Sequence, residues 1–268
     1  MIEELERVYE AALEAIRRGE PAAVATVIEA RGSTPREAGA KMLVYADGRT
    51  VGTVGGGPPE AWVIEEARAA LVEGQPRVLQ YQPVGQEGRA IDACGENMRF
   101  LIEVLLPRPT LLIIGAGHIG QAVAELGAFL GYRIAVLDER AEMVTPERFP
   151  QADVLLAGPL DEQLRNFPLT EQTYAALVTP HHSRDEKALA VLAEQPVPYV
   201  GLIGSRRRTQ ATFKRARAMG VPDEFLARVH TPIGLDIGAE TPREIALSIV
   251  AEVLAVQRGK PPGRMERQ

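Results

Sequence analysis

The string Gly115-Ala116-Gly117-His118-Ile119-Gly120, set directly behind the apolar run Leu111-Leu112-Ile113-Ile114, constrains the fold more than any other segment of this chain. Glycines at these three places suit a sharp turn from a buried strand into a helix. The first permits the turn, the second lets the main chain approach a phosphate, and the third lets the helix lie against the strand. Free amides at the start of such a helix favour an anion. Downstream, RIAVLD, VLLAG, AALVT and YVGLIG are short apolar strands, each followed by a helical or turn segment. Strands apolar on both faces and alternating with helices predict a parallel sheet covered on both sides. The expected fold class is therefore α/β, with a Rossmann-like parallel sheet in the C-terminal half.

Pro107-Arg108-Pro109-Thr110 marks the boundary of that half, because closely spaced prolines favour extended backbone and interrupt regular pairing. Two domains follow from it, residues 1–107 and 108–268. In the first, AAVATVIEA, KMLVYADGRTVGTV, RVLQYQ and MRFLIEVLL read as strands, with Asp47-Gly48 as a hairpin turn. PPEAWVIEEARAALVEG has helical periodicity, prolines suited to its first turn and a stop at Gly74. The N-terminal domain is thus expected to be a smaller mixed α+β unit. The opening segment is an amphipathic helix with Ile2, Leu5, Val8, Tyr9, Ala12 and Ile16 on one face, acidic where a signal peptide would be basic. PREIALSIVAEVLAVQRG predicts a long closing helix, and KPPGRMERQ a frayed tail.

A net charge of -6 argues against a nucleic-acid or anionic-membrane partner. The most apolar window, LLIIGAGHIGQAVAELGAFLGY, contains several glycines and Glu125, which speaks against a membrane span. The single cysteine, Cys94, excludes an internal disulfide and any cysteine-cluster metal site built by one chain. A soluble, cytoplasmic protein is the expectation.

The candidate binding residues lie at strand ends. Gly115, Gly117 and Gly120 form the turn, and His118 within it faces either ligand or solvent. Asp138 closes the second strand of the half, where a carboxylate can accept hydrogen bonds from ribose hydroxyls. Arg140, two residues on, suits a ribose phosphate instead, so NAD, NADP and other dinucleotides all stay open. Gly204-Ser205-Arg206-Arg207-Arg208 follows YVGLIG at the edge where open α/β sheets bind ligands. Ser205 and Arg206 are its candidate anion contacts, whereas Arg207 and Arg208 read equally well as a solvated helical turn. Gly55-Gly56-Gly57 and residues 32–36 each read as an anion nest or as a plain turn. Cys94, in a polar loop, is an accessible thiol or a small inert core residue. His181, His182 and Asp185 are the available proton carriers or metal ligands.

Taken in order, GSTPREAGAKM, GTVGGGPPE, the Cys94-Gly95 turn, IIGAGHIG with DER, YVGLIGSRRR and TPIGLDIGAETPREIALSIVAE resemble the XdhC/CoxI family of maturation factors, from about residue 22 to 258. The last motif and GSRRR are the specific ones. The resemblance implies a small N-terminal domain joined to a Rossmann domain, working as a homo-oligomer, such as a homodimer. It implies a chaperone rather than an enzyme, one that binds molybdenum cofactor, protects it during sulfuration and passes it to a molybdenum hydroxylase apoenzyme such as xanthine dehydrogenase. A cysteine desulfurase is a candidate second partner. The cargo would be molybdopterin or its dinucleotide form, a phosphorylated pterin dithiolene. Its anionic tail suits Gly115, Gly117 and Gly120, with Ser205 and Arg206 supplying charge and Cys94 serving as a soft thiolate ligand to the metal. Two departures stand out: relatives carry cysteine where this chain has Pro58 after Gly57, and histidine where it has Pro180. The competing readings are an NAD(P)-dependent oxidoreductase and a non-catalytic dinucleotide sensor.

Overall fold

In the computed structural model, which describes residues 2–30, 36–81, 98–180 and 184–260, the chain divides into two units, Met1–Pro107 and Arg108–Gln268. The first contains α1 (Ile2–Arg18), β1 (Ala22–Ala30), β2 (Lys41–Tyr45), β3 (Thr50–Gly52), α2 (Gly57–Glu73), β4 (Arg77–Gln80) and β5 (Met98–Leu105). Its sheet runs β3-β2-β1-β5-β4 with every pairing antiparallel. Residues Ala22 to Val27 of β1 are all buried, because the central strand has a helix on each face. Ala22 and Val24 pack with Val8, Ala12 and Ala15 of α1, while Ala23, Ala25 and Val27 pack with Val63, Ala67 and Ala70 of α2. The Asp47-Gly48 turn closes the β2–β3 hairpin with Gly48 at φ 89°.

The buried stripe of α1 differs from the one its periodicity predicts. Val8, Ala12 and Ala15 lie inward, whereas Ile2, Tyr9 and Ile16 are exposed. Alanines let the helix axis come close to the sheet, so close packing of small residues sets the inward face rather than side-chain size. Sequence periodicity sees the apolar stripe but not which edge of it the sheet can approach.

The second unit contains β6 (Thr110–Ile114), α3 (His118–Phe129), β7 (Arg133–Asp138), β8 (Val154–Ala157), α4 (Leu160–Asn166), β9 (Thr173–Leu177), α5 (Asp185–Leu192), β10 (Tyr199–Leu202), α6 (Arg206–Ala218), α7 (Asp223–Arg228) and α8 (Pro242–Gln257). The sheet is parallel, ordered β10-β9-β6-β7-β8. All five residues of β6 are buried, and alternate ones feed separate cores. Leu112 and Ile114 join the cluster that includes residues of α4, α5 and α6, and Leu111 and Ile113 join the one that includes residues of α3 and α8. Burying each such side chain contributes about 1.5–3 kcal/mol and anchors the strand from which the glycine turn leaves. His230 extends the sheet by a single parallel bridge to Gly201. Chain order reverses between β6 and β9, so their carboxyl ends open the crevice in which such folds place ligands. Among the described residues, no helix is long and apolar enough to cross a membrane.

Candidate functional site

The turn after β6 is built as its glycine spacing requires. Gly115 has φ 119°, and a Cβ there would fall 2.8 Å from the backbone of Val178 and Thr179. The turn therefore presses on the end of β9, across the switch point. At Gly120 a Cβ would stand 2.1 Å from the Gly115 carbonyl oxygen, so α3 closes onto the strand only with glycine there. Gly117 differs: it caps α3 at φ -79°, and a Cβ there would meet nothing within 4 Å. No neighbouring atom of the described residues demands glycine at this position, which leaves the backbone open at the N-terminus of α3. His118 is exposed at the first position of α3. Arg148, not signalled by any motif, ties the loop down by donating from Nη2 to the Ala116 carbonyl at 3.2 Å.

Beside this turn lies a cavity of about 280 Å³ lined by Gly115, Asp138, Glu139, Arg140, Thr179 and Arg184, with Leu160 and Pro180 as apolar wall. Asp138 is 6% exposed. Its carboxylate accepts the Ala116 amide at 2.8 Å and the Arg140 guanidinium at 2.9 Å on each oxygen. Burial pushes the Asp138 carboxyl up, but the Arg140 guanidinium and the Ala116 and Arg140 amides outweigh it and hold the group below its usual range. Both oxygens of the Asp138 carboxylate are thus engaged by Arg140 and the Ala116 amide. Glu139 and Arg184 form a second ion pair on the same wall.

The structure brings Gly115, Asp138 and Arg140 to one cavity but does not place Ser205 or Arg206 among its lining residues. Ser205 is the N-cap of α6, its hydroxyl accepting the Arg208 amide at 3.4 Å. Arg206 is exposed. Arg208, whose position suits a solvated helical turn equally well, is the arginine that folds inward. It packs over Gly204 and donates to the Thr179 carbonyl at 2.9 Å, with its Nε buried and unpartnered among the described residues. Helical spacing from the cap is the signal that points to it: the side chain at the third helical position swings back over the N-cap. Cys94, His181, His182 and residues 32–35 lie outside the described residues. Among the described residues no group of three or more His, Cys, Asp or Glu is placed to hold a metal.

In the first unit the Gly55-Gly56-Gly57 turn is already filled by a carboxylate from its own helix. Glu60 Oε2 accepts the Val54 and Gly56 amides, each at 3.0 Å, and the Thr53 hydroxyl. Burial raises the Glu60 carboxyl, but the Thr53 hydroxyl and these amides bring it below its ordinary value. The nest is internally occupied, so its anion is Glu60. Glu60→Ala should lower stability by about 1–2 kcal/mol in urea unfolding, since water replaces the acceptor only in part. An unchanged midpoint would show that the contact contributes nothing net.

The chain matches the model of the XdhC Rossmann domain over residues 111–253 and that of the XdhC and CoxI family over residues 15–82. It is 42% identical over 247 residues to the uncharacterized protein YqeB of Escherichia coli K12, covering 91% of this chain and 45% of that protein. To a probable xanthine dehydrogenase subunit of Bacillus subtilis it is 32% identical over 163 residues, 61% of this chain and 47% of that protein. The chain thus spans about half the length of these two relatives. It is 25% identical over 278 residues to the molybdenum cofactor insertion chaperone PaoD of Escherichia coli K12, covering 92% of this chain and 86% of that protein. A solved chain described as a xanthine dehydrogenase from Bacillus halodurans shares the fold, with a TM-score of 0.53 and 21% identity over 94% of this chain and 96% of that one.

Proposed function

Because the chain belongs to the XdhC and CoxI family, we propose that it is a maturation factor that binds molybdenum cofactor and delivers it to a molybdenum hydroxylase of the xanthine dehydrogenase kind. A role in molybdenum hydroxylase maturation is what the family and the chaperone relative support; cofactor delivery by this chain is the proposal. The observation that carries it is the open backbone at Gly117, placed over a helix N-terminus at the switch crevice. A phosphorylated pterin presents the anion that such a turn accepts. Gly115 and Gly120 hold the turn, and the first amides of α3 with His118 face the phosphate. Arg206 is an exposed cation at the end of β10, two strands from β6, and Ser205 caps the helix that carries it. Cys94 supplies the thiolate for the metal. The cavity's charges support holding rather than proton transfer, since Asp138 is paired with Arg140 and Glu139 with Arg184. The assembly we propose is a homodimer, with a cysteine desulfurase as the sulfur source for the cargo.

The test is metal and pterin analysis of the full chain purified from a host that makes molybdenum cofactor, with NAD(P)H binding and turnover measured alongside. Near-stoichiometric pterin is expected in the native protein. Gly117→Asp should retain less than about a tenth of it, because a carboxylate in the cradle repels phosphate. Its thermal midpoint should stay within a few degrees, since nothing surrounds that Cβ. Retention by Gly117→Asp overturns the cradle, loss in Cys94→Ser assigns the thiolate, and native protein free of pterin but turning over NAD(P)H makes it an oxidoreductase.

A further inference from the structure

The corner of the cavity at the end of β7 is specified closely enough to say which chemical group it receives. Asp138 stands where dinucleotide-binding folds keep a carboxylate for the two hydroxyls of a ribose. A carboxylate offers about four acceptor positions. Here Oδ1 accepts Arg140 N at 3.1 Å and Arg140 Nε at 2.9 Å, and Oδ2 accepts Ala116 N at 2.8 Å and Arg140 Nη2 at 2.9 Å. Four donors thus meet about four acceptor positions, leaving none for a diol. The side chain of Asp138 is 8% exposed and that of Arg140 is 41% exposed, so a ligand entering this corner meets the guanidinium rather than the carboxylate behind it. A guanidinium has five N–H donors, and only two of them are spent on Asp138. The rest suit the oxygens of a phosphomonoester, which a planar fork contacts two at a time. Asp138 has become a support that orients Arg140.

We propose that this cavity selects a phosphomonoester, held by Arg140, over a free ribose diol. The inference rests on the crevice being the cargo site and adds the group it recognises. Two ligands carry that group: a pterin that ends in a phosphate without a nucleotide, its one phosphate shared between the turn and Arg140 across the cavity that Gly115 and Arg140 both line, and an adenosine with a ribose 2′-phosphate. Hydroxyl-bearing nucleotide ends are disfavoured in either case.

Calorimetric binding of adenosine 2′,5′-bisphosphate and of adenosine 5′-diphosphate to the purified full chain, at one fixed ionic strength, tests this. The two probes are similarly charged but differ in phosphate or diol at the ribose. The bisphosphate is expected to bind at least tenfold more tightly. Arg140→Ala should erase that ratio or reverse it, because it frees acceptor positions on Asp138 for the diol. Arg140→Lys, which keeps charge but loses the fork, should fall between. Displacement of co-purified pterin by the bisphosphate identifies the pterin's terminal phosphate as the natural group, and undiminished pterin identifies a ribose 2′-phosphate. Equal binding of the two probes, or a ratio that survives Arg140→Ala, overturns the preference while leaving the cradle. Binding of neither probe overturns both.

Discussion

Gly120→Ala is expected to destabilise the second unit by about 3 kcal/mol or more, the upper end of what overpacking costs. The added Cβ would stand 2.1 Å from the Gly115 carbonyl oxygen and 3.4 Å from Ile113 Cγ2. The first of these is main chain, so no rotamer change relieves it. Gly115 cannot retreat either, because it already lies against Val178 and Thr179 at the end of β9. Relief requires α3 to lift from β6 and break its packing over Leu111 and Ile113. Domains hold only about 5–15 kcal/mol in total, so the loss is a large share. In thermal denaturation of the full chain, the transition of the second unit should fall by roughly 6–12 °C. Gly117→Ala is the matched control, with a negative φ and open space, and should shift by no more than about 1 kcal/mol for its effect at the helix cap. Equal melting of the two variants would mean that the strand-to-helix approach is not what Gly120 secures.

That contrast shows where the sequence is legible. Glycine spacing, strand alternation and the Asp47-Gly48 turn depend on neighbours within a few residues, and the strands and the hairpin stand where those patterns put them. Gly115 and Gly120 can be assigned their work because turn geometry and helix approach are local. The state of Asp138 cannot be read, since Arg140 two residues away is equally able to face a phosphate or to fold back on the carboxylate. The Ala116 amide, 22 residues before Asp138, joins the Arg140 amide in holding the carboxylate in the latter arrangement. Glu60 filling the glycine nest is likewise invisible in a string that reads as an empty anion site. For α1, the apolar stripe is visible but its inward edge is set by the approach of the sheet. Arg208 differs from Arg207 in the sequence only by its helical spacing from the Ser205 cap, and its burial also depends on Gly204 and on the end of β9.

The least legible feature carries the second large effect. Glu252 of α8 accepts the Tyr199 hydroxyl at 2.6 Å, the Gly234 amide at 2.9 Å and His230 Nδ1 at 3.2 Å, so one carboxylate joins β10, the bridging residue and the loop that follows it. Tyr199 is 1% exposed. Burial raises its hydroxyl's pKa, with the Glu252 charge adding to the effect, so Tyr199 stays a donor at all ordinary pH. Glu252→Ala leaves that buried donor and an amide without an acceptor, at about 1–3 kcal/mol each, and a total near 3–5 kcal/mol is expected at neutral pH in urea unfolding. For Glu252 itself, burial raises the carboxyl, while the hydrogen bonds from His230, Tyr199 and Gly234 lower it further than burial lifts it. Its folded value therefore lies below the ordinary 4.5, and the stability it adds is fully present above that pH. It is lost as pH falls through the depressed value. Glu252→Gln keeps the shape without the ionisation, so it should be less stable than the native chain at pH 7. The gap should narrow as the pH drops below about 4.5, because protonation removes the native advantage. A gap that stays constant from pH 7 to pH 3 would mean that the carboxylate's charge is not what anchors the closing loop to α8.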